Sequence, residues 1–239
     1  MISREHEGVK WLEFEIFQEF KELAHGVFLR KGGLDLGKQA DAAIMQRQRD
    51  KVKRCLRLEA LVFGKHQHAD VIIEFPWEGV EVSCDGIFTE VLQQGLMVAH
   101  ADCQAVLFYD PYKKVIANIH CGWRGNVANI LGKAVRVLNR QKGCRPQDLL
   151  VGISPSLGPE KAEFINYKEE FPKAFKAYEV KPCFFNLWAI SRDQLLQEGV
   201  LLQHIEIASL CTHTGGDDFF SYRRDRDTKR NATVIALQK

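Results

Sequence analysis

A cysteine and a histidine, Cys103 and His120, flank a predicted β-hairpin. Apolar runs at 105–109 and 115–118 are separated by an Asp110-Pro111 turn, a pattern that predicts two antiparallel strands. Because a hairpin folds the chain back on itself, the thiol before its first strand and the imidazole after its second can lie close together. A thiolate and an imidazole are ligands for zinc or another soft metal. A core cysteine with an incidental histidine is the alternative interpretation, since free cysteine is often buried.

Further polar side chains precede this pair in the sequence. His66 and His68 lie in a predicted turn between two strands, where either imidazole could complete a metal site or remain a surface residue. The spacing does not choose between them. His100 and Asp102 flank Cys103 and could carry protons or support a metal ligand.

A predicted anion-binding site follows His120. The segment 122–125 reads Gly-Trp-Arg-Gly and leads into a predicted helix at 127–138. Backbone amides at such a junction, together with the planar guanidinium of Arg124, favour phosphate. In the alternative interpretation, Trp123 packs in the core and Arg124 pairs with a surface carboxylate.

Composition narrows the class of protein. The 239 residues are 46% hydrophobic, enough for one large domain, and 33 basic against 31 acidic side chains leave a net charge of +2. This balance argues against a nucleic-acid partner. Short apolar runs and a charged N-terminal segment predict neither membrane spanning nor secretion, and the seven cysteines without a CxxC pair predict reduced thiols. We therefore expect a cytoplasmic protein.

The pattern of predicted elements indicates a mixed fold. A helix is predicted at 41–57, and many short strands are separated by turn residues. Strands and helices do not alternate regularly, so we expect the α+β class. The predicted strands lie at 12–16, 25–30, 61–63, 71–73, 87–88, 96–98, 149–153 and 233–237.

The chain resembles the YfiH-like proteins, also called the laccase-domain or multicopper polyphenol oxidase family. Four segments carry the resemblance, and they occur in the family's order and spacing. The resemblance implies one domain over residues 1–239, with four layers (α/β/β/α) and mixed sheets. The segments are 85–89 (DGIFT), 101–103 (ADC), 120–125 (HCGWRG) and 219–225 (FFSYRRD).

The resemblance also implies a metal site. The family's zinc ligands correspond to His68, Cys103 and His120. Three protein ligands leave a fourth position for water or substrate, which is typical of catalytic zinc. Copper is the less favoured metal, because multicopper oxidation requires several clustered histidines and this chain has eight spread along its length.

The resemblance further implies an enzyme acting on purine nucleosides. Family members are described as cleaving adenosine or inosine with phosphate to the base and ribose 1-phosphate, and as deaminating adenosine. We expect Asp102, Cys103 and Arg124 to be catalytic, and Asp35, Arg49 and Arg124 to bind substrate or phosphate. Nucleosides and phosphate are therefore the expected partners of a monomer or homodimer.

Several positions depart from the family pattern. The first residue of Asp35-Leu36-Gly37 is asparagine in the family, and a carboxylate there would oppose an approaching phosphate. The pocket is also expected to be rich in imidazole. The other departures are His66 for glutamine, Ala69 for glycine, His100 for threonine, Glu160-Lys161 for paired cysteines and His213 for tyrosine.

Three other functions remain open. Cys103 activated by His120 would make a metal-free cysteine hydrolase. Copper-dependent phenol oxidation would match the family's older name. The departures at Asp35 and Glu160 leave room for a zinc-binding protein without catalysis.

Overall fold

Two mixed six-stranded sheets form the centre of the described part of the chain. The structure is a computed structural model that describes residues 1–37, 41–76, 82–227 and 229–239. The first sheet has the order β1-β2-β3-β14-β7-β4, and the second has the order β13-β10-β8-β9-β6-β5. The strands of the first sheet are β1 (Ile2–His6), β2 (Val9–Glu13), β3 (Leu23–Phe28), β4 (Ala60–Val62), β7 (Gln94–His100) and β14 (Asn231–Leu237). Those of the second are β5 (Ile72–Glu74), β6 (Gly86–Thr89), β8 (Gln104–Asp110), β9 (Val115–Cys121), β10 (Leu150–Ile153) and β13 (Ile205–Ile207).

The two sheets pack face to face over a shared apolar core. Side chains such as Phe14, Val27, Leu96, Leu107 and Ile116 fill the space between them and are all fully buried. Every residue of β8, β9 and β14 is buried, because these central strands are covered on both faces. This explains why their sequences are nearly continuous apolar runs rather than alternating ones.

Helices cover the outer face of each sheet, which gives the four-layer α/β/β/α arrangement. Helix α1 (Ala42–Leu56) packs Val52 and Leu56 on the first sheet, and Asp41 caps it by accepting a 2.7 Å hydrogen bond from the Ala43 amide. Helix α3 (Ile130–Lys142) covers the second sheet with a stripe of buried aliphatic residues, and α5 (Leu187–Gln197) packs beside α3. The shorter elements are α2 (Trp123–Val127), α4 (Tyr167–Glu170), α6 (Tyr222–Asp225), β11 (Glu179–Lys181) and β12 (Phe184–Phe185).

The structure confirms the α+β class and the mixed sheets, and it changes two predicted elements. The helix predicted at 127–138 is two helices, because Asn129 adopts φ 52° and its side chain caps the Gly132 amide at 3.1 Å. The strand predicted at 12–16 ends at Glu13, and a 3-10 turn, Glu15–Phe17, follows. Within the described ranges, no helix is both long enough and apolar enough to cross a membrane.

Candidate metal centre and cavity

The β8–β9 hairpin brings Cys103 and His120 together, as its sequence predicts. Ala105 pairs with His120 across the hairpin, and Cys103 lies two residues before Ala105. His68 reaches the same place from a loop of the chain where its φ is 54°. The ligand atoms of His68, Cys103 and His120 all lie within 4.8 Å of one another, so this group could hold a metal ion.

A buried carboxylate, Asp85, holds both histidines of this group. It is 1% exposed and accepts hydrogen bonds from the backbone amides of Gln67 (3.2 Å), His68 (3.0 Å) and Ala69 (2.9 Å). Its Oδ1 is also 2.9 Å from Nδ1 of His120. The carboxylate therefore orients the His120 ring so that Nε2 is available to Cys103 or to a metal.

Asp85 belongs to the segment 85–89 that resembles the family, but the sequence alone predicts no role for it. An aspartate directly before an apolar strand was the available signal. Its partners could not be read from the sequence, because the loop at 67–69 becomes its neighbour only after folding.

Gly122 leaves space for the metal group. A Cβ atom at this position would lie 3.0 Å from Sγ of Cys103 and 3.2 Å from Nδ1 of His68. Both distances are shorter than ordinary contacts, so any larger residue would displace a ligand. The absence of a side chain thus explains why glycine follows His120-Cys121.

The thiol and the imidazole favour opposite charges on each other. Burial opposes ionisation of Cys103, but the charge of His120 and hydrogen bonds from His120 and His68 lower the pKa of the thiol to about 6. Burial likewise opposes a charge on His120, but the Cys103 thiolate and the hydrogen bond to Asp85 raise the pKa of the imidazole to about 9. Cys103 is therefore favoured as a thiolate, the form that binds metals and acts as a nucleophile.

His66 has a different place from His68. Its ring lies parallel to that of His120, with an interplanar angle of 2° and centroids 4.3 Å apart. Burial, followed by the charge of His120, lowers the pKa of His66 to about 3, so this ring is neutral. The structure thus places His68 in the ligand group, and His66 in the cavity lining with its ring packed against His120.

His100 and Asp102 both line the site but are engaged elsewhere. His100 is 2% exposed, its Nε2 lies 2.8 Å from the Thr233 hydroxyl, and burial lowers its pKa to about 3. Asp102 has φ 81°, and its carboxylate accepts hydrogen bonds from the Thr212 hydroxyl (2.7 Å) and the Arg223 amide (2.6 Å). These bonds connect the loop before β8 to the C-terminal part of the chain.

The metal group opens into a cavity of about 1010 Å³. This volume is at the upper end of the range for small-molecule sites and is sufficient for a nucleoside with a second small ligand. Aromatic side chains and four arginines form much of the wall beyond the metal group: Trp123, Phe164, Tyr222, Arg124, Arg223, Arg226 and Arg230. Of these seven residues, only Trp123 and Arg124 are individually predicted from the sequence as candidate site residues.

A comparison with protein families decides the membership of the chain. The model of a family described as multi-copper polyphenol oxidoreductase laccase matches residues 25–238. The chain belongs to this laccase family.

Relatives of this laccase family member have names that describe a different activity from that of the family model. A protein of Haemophilus influenzae named purine nucleoside phosphorylase is 30% identical over 184 residues, which cover 73% of each chain. A protein of Bacteroides thetaiotaomicron with the same name is 26% identical and covers 90% of this chain and 91% of its own. The crystal structure of a hypothetical protein YfiH from Bacillus licheniformis superposes with a TM-score of 0.85 at 24% identity, covering 99% of both chains, which supports the fold.

Arg124 of this laccase family member lies at the cavity wall. Its guanidinium carbon is 4.2 Å from the centre of the Trp123 ring, and it forms no ion pair with any described residue. The alternative pairing with a surface carboxylate is therefore absent from the described ranges. Trp123 itself packs against Phe164 and Phe171, with centroids 6.2 and 5.8 Å away.

The other two predicted binding residues lie outside the cavity lining. Arg49 stacks on Phe63, with its guanidinium carbon 4.0 Å from the ring centre. Asp35 accepts hydrogen bonds from the amides of Gly37 (2.8 Å) and Arg230 (3.0 Å), and Gly37 does line the cavity. The structure therefore brings Arg124 and the metal group to one cavity, and neither Arg49 nor Asp35 is among its lining residues.

Proposed function

We propose that this chain is a zinc-dependent purine nucleoside phosphorylase. The observation that carries the proposal is the His68, Cys103 and His120 group facing a cavity that also contains an arginine without an ion pair within the described residues. The names of two relatives, both called purine nucleoside phosphorylase, support the same reaction. In this reaction a phosphate oxygen bonds to the sugar C1′, the C1′–N bond breaks, and its electron pair leaves with the purine base.

The donor set fits zinc better than it fits a redox copper centre. One thiolate and two imidazoles leave a coordination position open, as in catalytic zinc sites. When bound there, zinc would supply a positive charge that polarises a neighbouring substrate atom. Multicopper oxidation needs several clustered metal sites, and the described residues provide a single such group.

The residues of the chain have separate proposed tasks. Trp123 and Phe164 offer aromatic faces that can contact a purine ring. Arg124 would hold phosphate through its planar donor fork and stabilise charge in the transition state. Asp102 is proposed to assist a proton transfer, because each of its oxygens accepts one hydrogen bond and keeps a further lone pair.

Adenosine deamination is a second proposed activity of the same site. The open side of the ligand group would admit a water molecule whose oxygen bonds to C6 of adenine while ammonia leaves. This reaction requires no phosphate, so the two activities can be separated by the composition of the assay.

The deciding experiment combines metal analysis with product analysis. Untagged protein is analysed for zinc and copper by mass spectrometry and incubated with adenosine or inosine, with and without phosphate. We expect near-stoichiometric zinc and base release that depends on phosphate. Inosine formed from adenosine without phosphate would indicate deamination, and oxidation of a phenol by copper-loaded protein alone would indicate adventitious metal.

Variants test which residues carry the reaction. His120→Ala should lose zinc and lower turnover by more than about 100-fold, because it removes a ligand and the partner of Cys103. His6→Ala is the matched control, because His6 is an exposed histidine of β1 that does not line the cavity. It should change neither the zinc content nor the turnover. Unchanged turnover in zinc-free protein, abolished by alkylation of Cys103, would replace this proposal with the cysteine hydrolase.

A further inference from the structure

The C-terminal edge of the cavity carries positive charge that the proposed reaction has not used. Arg226 and Arg230 both line the cavity, with guanidinium carbons 5.6 and 5.8 Å from the centre of the same Tyr222 ring. Tyr222 is 48% exposed, so this cluster lies at the mouth of the cavity. Two guanidinium groups against one ring concentrate positive charge where a ligand would enter.

Neither arginine is neutralised within the described residues. Arg226 forms no ion pair and no side-chain hydrogen bond there, and Arg230 donates only to the backbone carbonyls of Asp227 (3.1 Å) and Lys229 (2.8 Å). Glu163 and Glu170 also line the cavity, but neither pairs with these two arginines. The neighbouring Arg224 differs, because Asp225 binds it at 2.6 Å.

The backbone conformation at the end of α6 positions Arg226. It follows α6 with φ 53° and ψ 27°, a left-handed conformation that glycine adopts most easily. Its amide nevertheless donates to the Tyr222 carbonyl at 2.9 Å and so ends the helix. This hydrogen bond fixes the backbone position from which the Arg226 side chain reaches the cavity lining.

We propose that Arg226 and Arg230 form a phosphate-binding rim that is separate from Arg124. The proposal rests on the nucleoside-binding function proposed above. A tetrahedral phosphate dianion is the ligand class, because guanidinium groups with free N–H donors bind it by paired hydrogen bonds. The phosphate could belong to the 5′ position of a nucleoside monophosphate or be the inorganic phosphate consumed by the reaction.

Binding to zinc-loaded protein, measured by calorimetry, distinguishes these sources without requiring turnover. The probes are adenosine, adenosine monophosphate and inorganic phosphate. Arg226→Gly removes the charge and is compatible with the local backbone. We expect it to weaken binding of at least one phosphate-bearing probe about tenfold, as for loss of a charge-assisted hydrogen bond, and to leave adenosine unchanged.

Two further variants make the test specific. Arg57→Gly is the matched control, because Arg57 is also an exposed arginine that ends a helix with φ 54°, but it does not line the cavity. Arg226→Lys should retain part of the affinity, since it keeps the charge but lacks the planar fork. Weaker binding of the monophosphate alone supports a 5′-phosphate site, and weaker binding of inorganic phosphate supports a site for the second substrate.

Either binding result would stand even if the protein cleaved no nucleoside. Failure of the proposed reaction can therefore be distinguished from failure of the phosphate-binding rim. The proposal is overturned if Arg226→Gly binds both phosphate-bearing probes as the unaltered protein does. It is also overturned if the unaltered protein binds neither of them.

Discussion

The metal end and the mouth of the cavity are built in different ways. At the metal end, Asp85 and His120 are almost fully buried, and a single carboxylate accepts hydrogen bonds from three backbone amides and one imidazole. At the mouth, Tyr222 and Arg226 are exposed, and the supporting helix α6 has only four residues. The first region fixes a few atoms, whereas the second presents charged and aromatic side chains with room to adjust.

This difference assigns separate tasks to the two regions. Metal binding needs ligand atoms held in position. Here the buried Asp85 carboxylate holds the backbone of the exposed loop residue His68 and the ring of His120 on strand β9 through hydrogen bonds. Substrate recognition tolerates more movement and is commonly placed on loops carried by a rigid scaffold. Variants at the metal end should therefore reduce stability and metal content together, and variants at the mouth should change only ligand affinity.

The largest effect on stability is expected for Asp85→Ala. The substitution leaves three partly buried amides and the buried His120 ring without their acceptor, so we expect a loss of about 3–5 kcal/mol in the free energy of unfolding. Zinc affinity should fall about 10- to 100-fold as the histidines lose their orientation. Chemical denaturation and metal titration measure the two effects.

Asp110→Ala provides the matched control for Asp85. Asp110 is also 1% exposed and accepts two backbone hydrogen bonds, from the amides of Tyr112 and Lys113, but it lies at the far end of the hairpin. It should lower stability without changing zinc affinity. Equal zinc affinity in the Asp85 and Asp110 variants would contradict the assigned role of Asp85.

A smaller effect on stability is expected at low pH, from protonation of the buried His25. His25 is 3% exposed, and its Nε2 accepts a 2.8 Å hydrogen bond from the Phe14 amide. Burial lowers its pKa to about 4, although the charge of Glu13 acts in the opposite direction. Because the unfolded chain takes up the proton at a higher pH, the stabilisation is complete above about pH 6.5 and is lost as the pH falls toward 4.

The magnitude follows from the difference between the folded and unfolded pKa values. It amounts to about 3 kcal/mol for His25 once the pH is below 4. His25→Gln keeps a hydrogen-bond acceptor without a titrating ring, so its stability should decline less between pH 6.5 and 4. Urea denaturation at several pH values measures this, and identical declines in both proteins would show that His25 does not titrate in this range.

The hairpin shows what the sequence could predict, and the mouth shows what it could not. Apolar runs with a turn between them encode a local pairing, so the meeting of Cys103 and His120 follows from short-range pattern. Asp85, Arg226 and Arg230 acquire their places through contacts between segments far apart in the chain. Periodicity also missed the break at Asn129, because a side-chain cap and a left-handed φ leave little trace in hydrophobic spacing.

The smallest effect in this comparison is expected at the aromatic wall. Trp123→Leu removes an aromatic face of the cavity but keeps an apolar side chain against Phe164 and Phe171. We expect KM for a purine nucleoside to rise about tenfold, the equivalent of about 1.4 kcal/mol, while zinc content and kcat change little. Tyr112→Ala, at a ring that is 75% exposed and outside the cavity, is the control and should leave both kinetic constants unchanged. A loss of zinc in Trp123→Leu would mean that the aromatic wall and the metal end are not independent, because the short helix beginning at Trp123 directly follows the ligand-bearing strand β9.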